Sequence, residues 1–182
     1  MANIWGSILK WSGWSVEITA PYLDKCVICV APHTSNWDFI IGLAAYKSLG
    51  RNANFLMKEF WFFFPLKYLL RHLGGIPVPS KGSKGELTRS IIRQFERREY
   101  LNLAVTPEGT RSRREKWRTG FLYIAYGANV PIQLGIIDYA AKKIIIKDQF
   151  IPSGDIDKDM AFVKEYYADC GPKARYPEKF TV

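Results

Sequence analysis

The stretch Cys26-Val27-Ile28-Cys29-Val30-Ala31, followed by Pro32-His33-Thr34-Ser35-Asn36-Trp37-Asp38, decides the fold. Six apolar residues between a lysine and a proline have the length and the β-branched content of a buried strand. The polar cluster behind them places one of only two histidines at the mouth of that strand, with a carboxylate five residues later. Residues i and i+5 do not share a helix face. They converge when His33 sits in the turn and Asp38 lies in the first turn of the next helix, where the macrodipole favours an acid. Asp38 then orients the His33 imidazole as a base.

Working outward, the patterns predict helices over residues 4–15 and 37–48, a short strand over 54–57 and a helical stretch within 59–73 that ends at Gly74-Gly75. Residues 76–78 read as an edge strand because Pro77 cannot donate to a ladder. Ser83 and Glu86 form a capping box for a helix whose Leu87, Ile91 and Phe95 share one face. Strands follow over 101–106, 130–137 and 142–147, with a helix over 119–126 between the first two. Asp155 caps a last helix over 155–169, with Ile156, Met160, Val163 and Tyr167 inward. Strands alternating with helices give an α/β fold: a single domain over residues 1–182, with a mostly parallel central sheet flanked by helices and a core over about 25–147.

At 182 residues and 48% hydrophobic composition, the chain can bury a substantial core. The net charge of +9 attracts polyanions, whether nucleic acid, anionic membrane, phosphorylated substrate or acidic carrier protein, and does not choose between them. Three cysteines and no secretory leader pattern fit a reducing cytosol. Cys26 and Cys29 form a C-x-x-C without the second pair that zinc needs, and read as core residues. Every apolar stretch stops short of the roughly 20 residues that cross a bilayer. Residues 1–18 carry Trp5, Trp11 and Trp14 among Ile4, Ile8 and Leu9, and read either as an amphipathic membrane-contact helix or as a helix packed on the core. Phe60 to Phe64 are five consecutive aromatics that cannot all face one core, and beside Lys58, Lys67 and Arg71 they suit a membrane interface.

Ligands of such sheets collect outside the carboxyl ends of the strands. Two polar clusters stand there, His33 to Asp38 and Pro107-Glu108-Gly109-Thr110-Arg111-Ser112, so a shared site is expected. The second cluster joins a carboxylate, a glycine that permits close backbone approach and a guanidinium suited to bidentate phosphate binding. The run Arg111, Arg113, Arg114, Lys116 and Arg118 is either a solvated loop or a receiver of anionic phosphates.

Four blocks occur in order: His33-x-x-x-x-Asp38, Gly74-Gly75-Ile76-Pro77-Val78, Pro107 to Ser112, and Val130-Pro131-Ile132. Together they resemble the glycerolphosphate and lysophosphatidic acid acyltransferases, over about residues 27–137. The resemblance implies transfer of a fatty acyl group from acyl-CoA or acyl carrier protein to a hydroxyl of a lysophosphatidic acid-like acceptor, without metal, cofactor or acyl-enzyme. By the same likeness His33 takes the acceptor's proton, Asp38 holds the imidazole tautomer, and Glu108, Gly109, Thr110 and Arg111 bind the acceptor's head. Backbone N–H groups near Gly109 or Val78 are candidates for the oxyanion donors. Where the family follows the second block with an acidic or amide residue and an arginine, this chain has Pro79 and Ser80. Lys81 is left as a point charge without the guanidinium fork.

That departure keeps other acceptors open, such as a lysophospholipid in remodelling or an amino-acid lipid. Expected partners are the acceptor, the acyl donor and an anionic membrane surface, with no nucleic acid. The expected location is cytoplasmic, peripheral on the inner face of the cell membrane. A non-catalytic basic binding module is the rival from another class, but no RNA-type aromatic strand motif or helix-turn-helix pattern supports it. His72 reads as a structural or surface histidine, and Cys29 as a poor nucleophile because a buried strand disfavours its thiolate.

Overall fold

The computed structural model describes residues 3–79 and 84–182. Among these residues seven strands form one sheet: β1 (Ser15–Ile18), β2 (Lys25–Val30), β3 (Asn54–Lys58), β4 (Gly75–Val78), β5 (Leu101–Val105), β6 (Ile132–Asp138) and β7 (Lys143–Phe150), in the order β1-β7-β6-β2-β5-β3-β4. All neighbours are parallel except β6 and β7, whose antiparallel pairing sets Asp138 opposite Lys143. The α/β expectation therefore holds. So does the edge position of β4, where Pro77 leaves no N–H unpaired.

Among the described residues six α-helices cover the two faces: α1 (Ile4–Trp11), α2 (Asn36–Ser48), α3 (Leu66–His72), α4 (Lys84–Arg97), α5 (Gly120–Gly127) and α6 (Ile156–Tyr167). The alternation of β2 divides the core. Val27 and Cys29 join Ile91 and Phe95 of α4, Leu122 of α5 and Val163 and Tyr167 of α6. Cys26 and Ile28 point the other way, toward Tyr46 of α2. Both faces of β2 are covered, so it reads as a continuous apolar run and not as an alternating one.

The last strand runs on to Phe150 and other ends shift by one or two residues, but two stretches depart most from the sequence patterns. The first helix stops at Trp11 because Gly13 takes a left-handed φ of 78°, and Ser15-Val16-Glu17-Ile18 then adds a strand to the sheet edge. This strand is short and only half-buried, and it gave little apolar contrast. Between residues 59 and 73, a 3-10 turn over Glu59–Trp61 precedes α3, which starts after Pro65. The Ser83 half of the expected capping box and Lys81 lie outside the described residues.

A register shift between Leu134 and Gly135 interrupts the β6–β7 ladder. The Tyr167 hydroxyl, fully buried, reaches across to the Cys29 carbonyl at 2.7 Å and the Gly135 carbonyl at 3.1 Å. Tyr167→Phe leaves both oxygens without that donor and should cost about 1–2 kcal/mol. Urea unfolding measures this, and an unchanged midpoint would show that the hydroxyl is dispensable.

Candidate active site

Local chemistry folds the His33 to Asp38 segment. Ser35, in extended conformation, is the N-cap of α2, and its hydroxyl accepts from the Trp37 N–H at 3.2 Å. Asp38 sits three residues on and reaches back, its Oδ2 accepting from the N–H groups of Thr34 at 2.7 Å and Ser35 at 2.8 Å. This Ser-x-x-Asp capping box is a signal that the sequence carried and that the macrodipole argument alone did not use. The same Oδ2 lies 3.4 Å from His33 Nδ1. With Nδ1 turned to the carboxylate, Nε2 is the ring nitrogen left for a substrate. Burial pushes the Asp38 carboxyl up, but hydrogen bonds from His33, Tyr139 and the Ser35 N–H outweigh it and hold the group below the usual range.

The second cluster lies beside the first because β5 pairs with β2 in parallel, Val105 opposite Cys29. Glu108 is 5% exposed, and its two oxygens accept from the His33 N–H at 2.9 and 3.1 Å. Burial pushes its carboxyl up to about 7, against the opposing pull of that N–H. Its carboxylate thus faces the histidine turn. Arg111 is exposed, and its guanidinium donates to the Asn36 side-chain oxygen, tying the two loops together. Gly109 has a φ of 64°, and a Cβ there would collide with the Arg118 side chain. Its own N–H donates to the Thr106 carbonyl at 3.0 Å, which removes it from the oxyanion candidates. Thr110 is half-buried, and its hydroxyl accepts from the Ser112 N–H at 3.4 Å.

A cavity of about 2040 Å³ is lined at the carboxyl ends of the strands by His33, Asp38, Gly109, Arg111 and Val78, and extends along α2 as far as Tyr46 and Ala53. The imidazole, its carboxylate and the guanidinium therefore share one space. Residues 16–134 match the family model described as Acyltransferase. The chain belongs to that acyltransferase family. No curated protein matches it.

The matched segment of this acyltransferase stops before two residues that complete its candidate site. Tyr139, in the turn between β6 and β7, donates its hydroxyl to Asp38 Oδ1 at 2.6 Å. Arg175, in the C-terminal segment, stacks its guanidinium 5.7 Å from the Trp37 ring and 5.8 Å from the Tyr139 ring. Next to it, the Tyr176 N–H donates to the Thr34 hydroxyl at 3.2 Å, clamping the histidine turn from outside. Sequence reasoning missed both, since Tyr139 lies 101 residues from Asp38 and no local spacing links them. The turn after the strand beside β2 was the one available hint. His72 is exposed and Cys29 fully buried, its thiol pushed well up by burial, so neither enters the site.

Glu108 gives a pH test. Its folded pKa of about 7 lies above the ordinary carboxyl value of 4.5, so the native state binds this proton more tightly than the unfolded chain. Its stabilising contribution is complete below about 4.5 and is lost as pH rises through about 7. Glu108→Gln keeps an acceptor for the His33 N–H without titrating. Wild type should therefore lose stability relative to Glu108→Gln between these two pH values, in denaturant titrations repeated across that window. A pH-independent difference would mean that the carboxyl is not perturbed.

Proposed function

We propose that this acyltransferase moves a fatty acyl group from a coenzyme A or acyl carrier protein thioester to a hydroxyl of a lysophosphatidic acid-like acceptor, directly and without an acyl-enzyme. The observation that carries the reading is the His33 Nδ1 contact with the Asp38 carboxylate at 3.4 Å, inside a cavity that also holds Arg111.

An alcohol is a weak nucleophile at neutral pH. His33 Nε2 takes its proton as the oxygen attacks the thioester carbonyl, and Asp38 keeps the tautomer that leaves Nε2 unprotonated and stabilises the imidazolium that forms. The tetrahedral intermediate then expels the thiolate, which recovers the proton from His33. The new ester and the free thiol leave, and the base is reset. Glu108 acts one step back, pinning the backbone of the base through the His33 N–H. Arg111 and the cavity-lining Arg114 and Lys116 take the anionic phosphates of acceptor or donor. The cavity is larger than the roughly 300–1,000 Å³ that drug-sized ligands fill, which suits a substrate pair with a long chain.

His33→Ala should lower turnover by about 100- to 10,000-fold, the usual range for a positioned general base, while far-UV circular dichroism stays unchanged. Asp38→Asn is a cleaner probe of the carboxylate than Asp38→Ala, because alanine would also strip the Thr34 and Ser35 N–H groups of their acceptor. Tyr139→Phe removes one donor from Asp38 and should reduce kcat by about fivefold to tenfold with little change in KM. Thiol release from acyl-CoA reports all of them. Release by folded His33→Ala at the wild-type rate, or release that needs no acceptor alcohol, would overturn the mechanism.

Pro79 and Ser80 stand where the resemblance leads one to expect a phosphate-binding arginine, so the acceptor needs its own test. A phosphate-monoester acceptor should be preferred over the same lipid without phosphate. Equal rates would favour an amino-acid lipid or a remodelling substrate.

A further inference from the structure

The residues after α6 are fastened to every loop that carries part of the candidate site. At the β6–β7 turn, the Tyr139 N–H donates to the Lys173 carbonyl at 2.8 Å. At the turn before α2, the Tyr176 N–H donates to the Thr34 hydroxyl at 3.2 Å. In the basic loop after β5, the Trp117 indole N–H donates to the Thr181 carbonyl at 2.9 Å, and its buried ring packs against Phe180 and Tyr167. Ala174 and Phe180 are themselves buried, so the chain is held on both sides of Arg175.

From that fixed position Arg175 joins rings that belong to different loops. Its guanidinium carbon lies 5.7 Å from the Trp37 ring, next to Asp38 on α2, 5.8 Å from the Tyr139 ring and 5.7 Å from the Tyr176 ring. Such a cation is attracted by the ring faces, and its planar fork keeps donors available at its edge. The Tyr139 ring also meets the Trp14 ring edge-on at 5.0 Å. The phenol is thus caught between a cation and an indole, in the pose from which its hydroxyl donates to Asp38 Oδ1 at 2.6 Å. Burial and the Asp38 carboxylate hold the phenol proton well above the ordinary tyrosine range, so the hydroxyl stays the donor, while the Arg175 guanidinium beside it works against them. Neither Tyr139 nor Arg175 lines the cavity, so their influence on a substrate passes through Asp38 and His33.

We infer that Arg175 is a positioning residue for the His33 base: it fixes the Tyr139 ring, Tyr139 fixes the Asp38 carboxylate through Oδ1, and Oδ2 fixes the imidazole through Nδ1. This deepens the acyl-transfer reading and rests on it for the reaction that the base serves. Without the guanidinium the phenol is looser, the carboxylate is freer to turn, and the imidazole spends less time in the tautomer that leaves Nε2 as the base.

The test is a double-mutant cycle on the full chain, read as kcat for thiol release from acyl-CoA. Arg175→Gln should lower kcat by about fivefold and change KM by less than about twofold, and Arg175→Lys, which restores the charge without the fork, should recover part of the loss. In the Tyr139→Phe background Arg175→Gln should cost less than about a further twofold, because the link it acts through is gone. Lys179→Gln removes a neighbouring cation that stacks 4.2 Å from the Tyr176 ring, and should leave kcat at the wild-type value. A second readout needs no turnover. With His72→Gln leaving His33 as the single histidine, imidazole nitrogen NMR at alkaline pH should report one tautomer, protonated on Nδ1, when Arg175 is present and a mixture in Arg175→Gln. Should Arg175→Gln fail to fold, Arg175→Lys carries both measurements, with smaller effects of the same sign. Wild-type kcat or an unchanged tautomer in the folded variant, or losses that multiply across the cycle, would overturn the positioning role while leaving acyl transfer standing. A tautomer that shifts in a protein whose wild type releases no thiol would support the positioning role and count against the chemistry.

Discussion

One buried anion organises the candidate site. The Asp38 carboxylate is almost wholly buried at the cavity wall, and it is tolerable there because four groups surround it: two backbone N–H groups, a tyrosine hydroxyl and an imidazole. Each of those partners does something else as well. The N–H groups belong to the turn that starts α2, the tyrosine to the β6–β7 turn, and the imidazole is the proposed base. Helix start, sheet end and chemistry are therefore tied to the same two oxygens.

A second carboxylate answers the first from the neighbouring strand. Glu108 holds the backbone of His33 while Asp38 holds its ring, so the histidine is braced at both ends by acids from different loops. The two acids differ in cost. Asp38 has enough donors to remain ionised with ease, whereas Glu108 has one N–H and little water, and its proton affinity rises accordingly. The loop basicity that follows Glu108 lies outside this braced interior, at the surface, where cations stay hydrated until a ligand arrives.

Much of this was legible in the sequence. The apolar run at Cys26 to Ala31 announced a strand buried on both faces, Pro77 announced an edge, and Asp155 with Ile156, Met160 and Val163 announced the last helix. Helix geometry allowed His33 and Asp38 to converge, and two polar clusters after strand ends made a shared site the expectation, while the β2–β5 pairing that sets the clusters side by side came only with the fold. The direction of Glu108 did not follow, because a motif gives residue types and not which way a side chain turns. Tyr139 and Arg175 were hidden for a different reason: their link to Asp38 passes through tertiary contact over more than a hundred residues. β1 escaped because a half-buried four-residue strand shows little contrast against a helix end.

The reversed direction of β7 has a consequence for how the domain could be dissected. By running back along β6 it delivers the chain, through α6, to a C-terminal stretch that returns to the histidine turn. A fragment cut at the last residue of the family match would retain every recognisable motif yet expose Asp38 on the side that Tyr139 covers. Minimal versions of this enzyme must therefore be defined by the shell around its acid, and transplanting the motif loops alone into another scaffold would carry the base without the environment that keeps its partner charged.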